Sequence, residues 1–353
     1  MRALLFLSFL TSIACGGTPQ QAASVRTAYE TSLEAWALKM QLAKTDAERG
    51  ALERPSPKVA ADRMWSVIQG DLAQKWAIEP AAWFVRLAAP LKEMDEAGTV
   101  RPLYRPEIAK VEQAVASHHL QSPDLTPMCM ALVAAGDQQA LGMLRKIQKE
   151  NPDKKVAGVA ALGIAMMAKG LGDEGHVMRE RLTMLRMAII DAADVKIDRT
   201  TVADLAKEEL YIIRHLSKGN VAPDLEGTDS GGRSMKLSDF GDKVVMLVFW
   251  NSKQGGEDSL LRWVSALRRD ERFKGKAFEV VGVNSDPREK LRDMQSNQLV
   301  DWPNFSDPLN ELGQVYRVGS WPLAYVLGPD RKIHYFGAVG TFAEVTAVAV
   351  LSE

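Results

Sequence analysis

Only two residues of this 353-residue chain, Cys15 and Cys129, could carry thiol chemistry. Cys129 lies in the apolar run Pro127-Met128-Cys129-Met130-Ala131-Leu132-Val133, where a small buried hydrophobe is the expected role. No cysteine occurs after residue 219. The carboxylates Glu257 and Asp258 open a helix, and the positive end of a helix dipole keeps such groups ionised. That suits a helix cap better than an acid or base tuned near neutrality. Gly255-Gly256 offers backbone N–H groups to an anion, but the neighbouring carboxylates would repel one. The histidines His118, His119, His176, His215 and His334 are scattered, and nothing completes a zinc-like spacing around them. No metal and no cofactor is expected.

The segment that positions these residues is a β-rich strand, Val244 to Trp250, followed by a short loop and a helix starting near Glu257. From Ser259 to Arg269 that helix carries Leu260, Leu261, Val264 and Leu267 on one face. Phe278 to Val283 reads as the next strand, Pro287 to Leu299 as a helix, and Ala324 to Leu327 with Ile333 to Phe336 as a hairpin. Strand–helix–strand order predicts parallel pairing through right-handed crossovers.

Several ordered motifs in residues 219–353 resemble the redoxin branch of the thioredoxin superfamily, the TlpA-like and AhpC/TSA-like thiol–disulfide proteins. They are Ala222-Pro223-Asp224-Leu225, Met235-Lys236-Leu237-Ser238-Asp239-Phe240, Val281-Gly282-Val283-Asn284-Ser285-Asp286 and Gly319-Ser320-Trp321-Pro322 before a strand. The resemblance implies a thioredoxin-like α/β fold and, from family membership alone, a thiol–disulfide oxidoreductase or antioxidant activity. It places the two family cysteines at Gln254 and Glu257, which cannot form a disulfide. The family's buried proton-relay carboxylate or amide falls on Val248. The resemblance further implies a cis bond before Pro322 and an extended-peptide groove beside it. Trp250, Trp321 and Pro322 are the binding candidates. The site is therefore expected to be degenerate, and the domain a non-catalytic binding or scaffold module.

Acidic and basic residues number 45 and 44, and no long basic run occurs, so nucleic-acid capture is excluded as an expectation. Residues 1–14, MRALLFLSFLTSIA, read as a secretion signal too short to span a bilayer. Ser12-Ile13-Ala14-Cys15 followed by Gly16-Gly17 resembles a bacterial lipobox, although Ser12 stands where leucine is usual. Cys15 is thus the expected lipidation site of a cell-envelope protein, with a plain secretory signal as the alternative.

Residues 15–24 read as a polar tether, and residues 25–218 read almost wholly as helix. Apolar spacing in Val25 to Trp36, breakers at Pro55/Pro57, Pro80, Pro90, Pro102/Pro106, Pro123/Pro127 and Asn151-Pro152, and helix starts at Asp124, Asp153 and Thr201-x-x-Asp204 divide it. The methionines of these helices are expected in the core. The segment also resembles, more loosely, the helical region before the redoxin domain in planctomycete and verrucomicrobial TlpA-like proteins, carried by Ala43 to Arg49, Asn151 to Gly158 and Ala206 to Gly219. The predicted architecture is an all-helical N-terminal domain followed by a thioredoxin-like α/β domain.

Overall fold

A computed structural model describes residues 16–95, 98–172, 174–253 and 257–353. The chain divides into two compact units, the first ending at Lys207 and the second running from Glu208 to Glu353. No helix among the described residues is long and apolar enough to cross a membrane.

The first unit is built from α1 (Pro19–Leu42), α2 (Asp46–Gly50), α3 (Pro57–Ile68), α4 (Ile78–Ala88), α5 (Arg105–Ala114), α6 (Thr126–Ala135), α7 (Gln138–Glu150), α8 (Lys154–Ala168) and α9 (Gly175–Ala192). α10 (Val202–His215) begins in this unit and continues into the second. Two short hairpins break the all-helical expectation, β1 (Lys92–Met94) with β2 (Val100–Pro102) and β3 (Lys196–Ile197) with β4 (Thr200–Thr201).

Helix starts follow local chemistry. The expected tether is helical from Pro19, because Thr18 and Gln21 form a capping box in which the Gln21 N–H donates to Thr18 Oγ1 (3.2 Å) and the Thr18 N–H to Gln21 Oε1 (2.9 Å). Pro57, Pro106 and Pro127 open helices instead of ending them, since a first-turn proline loses no intrahelical hydrogen bond. Asp153 caps α8 through the N–H groups of Lys155 (2.8 Å) and Val156 (3.2 Å). Asp124 does not cap α6. Leu125 holds that position without a side-chain bond, and Asp124 pairs with Lys75 at 2.9 Å.

α8 lies at the centre of this unit and packs against α6, α7 and α9. Its sequence is apolar all round because it is covered all round, with Val159 to Leu162 at 0% exposure. Close approach needs small residues. A Cβ on Gly158 would stand 2.7 Å from Ala192 Cβ, and one on Gly163 would stand 3.0 Å from Val133 Cγ2. Met64 and Met128 of these helices are fully buried, while Met130, Met143, Met166, Met167, Met178, Met184 and Met187 are half-buried, which corrects the core expectation for most of them.

The second unit contains the hairpin β5 (Glu226–Thr228) and β6 (Ser234–Lys236), then β7 (Val244–Trp250), α11 (Glu257–Arg269), β8 (Phe278–Asn284), α12 (Arg288–Ser296), β9 (Asn304–Ser306), α13 (Glu311–Val315), β10 (Leu323–Leu327), β11 (Ile333–Gly337) and α14 (Thr341–Val350). The sheet order is β11-β10-β7-β8-β9, with β7, β8 and β9 parallel and β10 antiparallel to both β7 and β11. Every residue of β7 is buried. Val244, Met246, Val248 and Trp250 face a core with Val264 and Leu267 of α11 and Leu291 of α12. Val245, Leu247 and Phe249 face a second core with Phe305, Tyr316 and Tyr325. A strand alternating between two dry faces reads as a continuous apolar run, as VVMLVFW does. The unit is thus a thioredoxin-like mixed sheet covered on both sides.

The α8–α9 contact gives the first prediction. Gly158→Leu should destabilise the helical unit by about 1–3 kcal/mol in chemical denaturation through overpacking. Gly142→Ala in α7, where an added Cβ meets nothing within 4 Å, should leave it unchanged or stabilise it by up to about 1 kcal/mol. Equal midpoints for the two variants would contradict this packing.

Candidate functional site

The site is the C-terminal end of β7, where the central strand gives way to the loop before α11. Register brings three chain segments there. Trp250 pairs with Asn284 of β8, and Asn284 pairs with Ser306 of β9. Leu323 of β10 pairs with Phe249, so one step further the antiparallel register carries Pro322 level with Trp250. The Trp321–Pro322 peptide bond is cis. Trp321 is half-buried against the core that holds Phe249 and Tyr325. Gly319 and Ser320 are exposed, and the Trp321 backbone makes no backbone hydrogen bond among the described residues.

The Trp250 side chain points into the interior. It is 1% exposed, lies with its ring centroid 6.1 Å from that of Trp302, and donates its indole N–H to Asn304 Oδ1 at 2.9 Å. The Asn304 amide in turn donates to the Trp302 carbonyl at 2.9 Å. The binding expectation for Trp250 is therefore corrected: its side chain belongs to the interior and presents no surface to a ligand. Gly282 makes the bond possible. A Cβ there would stand 1.7 Å from Asn304 Oδ1 and 2.9 Å from Trp250 Nε1. Val248 is buried at 1% exposure, opposite Ala324 and Gly282, so the position at which the family resemblance expects a proton relay is apolar and packed in the sheet.

A polar cluster that sequence reasoning passed over as turn residues holds the first part of the loop. The buried Asp286 carboxylate accepts from the Ser252 N–H (2.9 Å), the Ser252 hydroxyl (2.7 Å) and the Asn284 amide (3.0 Å). Lys290 Nζ donates to Ser252 Oγ, and the Lys253 N–H donates to Asn251 Oδ1 at 3.0 Å. A buried carboxylate needs such donors to offset its desolvation. The one available signal was the switch from VVGV to Asn284-Ser285-Asp286. Nearby, burial pushes the Asp307 carboxyl above its ordinary range, opposed by the Gly313 N–H that it accepts at 2.9 Å.

Gln254, Gly255 and Gly256 lie outside the described residues, and Glu257 is described by its backbone alone, as the first residue of α11. Residues 1–14 and Cys15 also lie outside them. Cys129 is a free cysteine, fully buried in α6, and burial pushes its thiol up to about 12. It is a thiol and not a thiolate at neutral pH, which removes its nucleophilicity. His119 Nε2 lies 2.7 Å from the Leu72 carbonyl. Among the described residues, no group of three His, Cys, Asp or Glu side chains is placed to hold a metal ion.

Residues 218–336 match the AhpC/TSA family. The thiol-disulfide oxidoreductase ResA of Bacillus subtilis is 23% identical over 127 residues, which are 33% of this chain and 65% of that protein. The chain therefore spans just under two thirds of the curated relative that it matches. Among solved structures, a thiol:disulfide interchange protein from Bacteroides sp. is 24% identical, with 37% of this chain and 86% of that chain covered and a TM-score of 0.32. The thioredoxin domain of a thiol-disulfide oxidoreductase from Bacteroides vulgatus is 26% identical, with 37% and 94% covered and a TM-score of 0.30. Peroxidoxin BcpB from Mycobacterium tuberculosis is 20% identical, with 38% and 96% covered and a TM-score of 0.33.

The indole–amide bond over Gly282 supplies the prediction for this site. Gly282→Ala should cost about 2–4 kcal/mol by pushing Asn304 aside and orphaning the buried Trp250 N–H. Thermal unfolding followed by tryptophan fluorescence checks this, and a variant as stable as the parent would mean that the bond is absent.

Proposed function

We propose that this C-terminal redoxin-branch domain of the thioredoxin superfamily has kept the architecture of a thiol–disulfide oxidoreductase without its chemistry. It acts as a non-catalytic binding or scaffold module. The observation that carries this reading is the junction at Trp250 joined to the cysteine inventory. A strand buried on both faces ends beside Pro322 and leads to a helix starting at Glu257, yet no cysteine occurs after residue 219. By the family resemblance Gln254 and Glu257 stand at the dithiol positions. Val248 puts an apolar side chain where the proton relay would be.

The occupant proposed for the opening is an extended peptide segment of a protein, paired with the backbone at Trp321-Pro322. Support comes from the exposed Gly319-Ser320 approach and from the Trp321 backbone, which makes no backbone hydrogen bond among the described residues and could pair with an added strand by main-chain hydrogen bonds. We further propose that Cys15 is lipidated and holds the protein at the bacterial cell envelope, on the strength of the Ser12-Ile13-Ala14-Cys15 motif.

The second reading, an active thiol–disulfide oxidoreductase or antioxidant, is favoured by the AhpC/TSA match. It would have to run through Cys129, whose thiol is buried and held protonated.

Two experiments test this function. Gln254→Cys with Glu257→Cys should oxidise to an intramolecular disulfide under mild oxidant, because residues three apart across a helix start come within the roughly 4.4–6.8 Å Cα separation that a disulfide needs. Thiols that stay reduced in a folded double variant would show that the register of this loop is misassigned. For the anchor, the native protein should partition into detergent and take up labelled fatty acid, with both lost in Cys15→Ser. A soluble, unlabelled wild type points instead to an ordinary secretory signal.

A further inference from the structure

The helical unit carries a cleft that the redoxin reading does not use. It has a volume of about 160 Å³ and lies among α1, α4, α6 and the β3–β4 hairpin. One wall is apolar, made by Ala82, Trp83, Met130 and Ile197. Trp83 is half-buried and held edge-on by Tyr29 at a ring-centroid distance of 6.0 Å. The lining also includes the charged residues Arg26, Glu79, Arg86, Lys196 and Asp198.

Most of those charges are already committed. Arg26 bonds to Glu30 (2.8 Å) and Glu79 (3.0 Å). Arg86 grips Asp198 in a two-point contact of 3.2 and 2.7 Å. Asp198 sits at the hairpin tip with a left-handed φ of 53°, so this pair fixes the tip beside the cleft. Its carboxyl is held below its ordinary range, first by that hydrogen bond. Lys196 is the exception: it is exposed, and among the described residues its side chain has no charged or hydrogen-bonding partner.

The cleft therefore combines an aromatic and aliphatic wall with one uncommitted cation on a rim whose other charges cancel in pairs. We propose that it binds a carboxylate adjoining one apolar group, with the apolar group against Trp83 and Met130 and the carboxylate on Lys196. Its volume decides the size. Sites for drug-sized ligands begin near ~300 Å³, so this cleft takes a single side-chain-sized group. A free small carboxylic acid and the C-terminal residue of a peptide both present that chemistry.

Calorimetry on the full chain tests this with N-acetylphenylalanine, its neutral amide and a hexapeptide ending in phenylalanine. The acid should bind saturably, and about tenfold or more weaker binding is expected for the amide and for Lys196→Ala, with recovery in Lys196→Arg. Lys196 is exposed, so these variants should fold as the parent does. Binding of the hexapeptide as well as the acid assigns the ligand to peptide C-termini, and binding of the acid alone assigns it to small carboxylates; either supports the site. Equal binding of acid and amide, unchanged binding by Lys196→Ala, or no binding of any probe overturns it.

Discussion

The redoxin domain depends on how Trp250 finishes its strand. An indole N–H in a dry interior must find an acceptor, and this one finds Asn304 Oδ1, across β8 and on the far strand of the sheet. The bond passes over Gly282, the position of β8 opposite Val248, where any Cβ would collide with the amide. Three strands are thereby fixed in register by one hydrogen bond and one missing side chain. The same register sets Pro322 beside Trp250 and positions Asn284 and Asp286 under the loop toward α11.

The packing of this domain makes no use of a thiol. Nothing in the two cores calls on a cysteine: β7 is held by Val264 and Leu267 on one face and by Tyr316 and Tyr325 on the other. Val248 adds an apolar side chain to the first of these cores, so the strand end is held by packing. The start of the loop is held by charge and hydrogen bonds, through Ser252 on Asp286 with Lys290 closing over the hydroxyl.

Much of this fold was legible in the sequence because its signals were long. VVMLVFW could only be a strand covered on both faces, and FEVVGVN a second beside it; both strands appear where they were expected, give or take a residue. The short signals were misread. Thr18-Pro19-Gln20-Gln21 is a capping box, yet its polar composition suggested a tether. The hairpin residues Met94 and Val100 are exposed and carry no period, so β1 and β2 left no trace. Residue type says nothing about which way an indole points, so Trp250 stands among the binding candidates of the sequence; Asn304, the partner that turns it inward, lies in a distant segment. The Ser252–Asp286 cluster was hidden for the same reason, since its members belong to different loops.

Whether this domain does thiol chemistry is decided by the reduction of insulin disulfides with the purified mature protein. Wild-type protein and Cys129→Ala are compared with a protein-free blank in dithiothreitol. For a non-catalytic module both should match the blank. Turnover by the wild type clearly above the blank, and lost in Cys129→Ala, would contradict that reading and return the protein to the oxidoreductases.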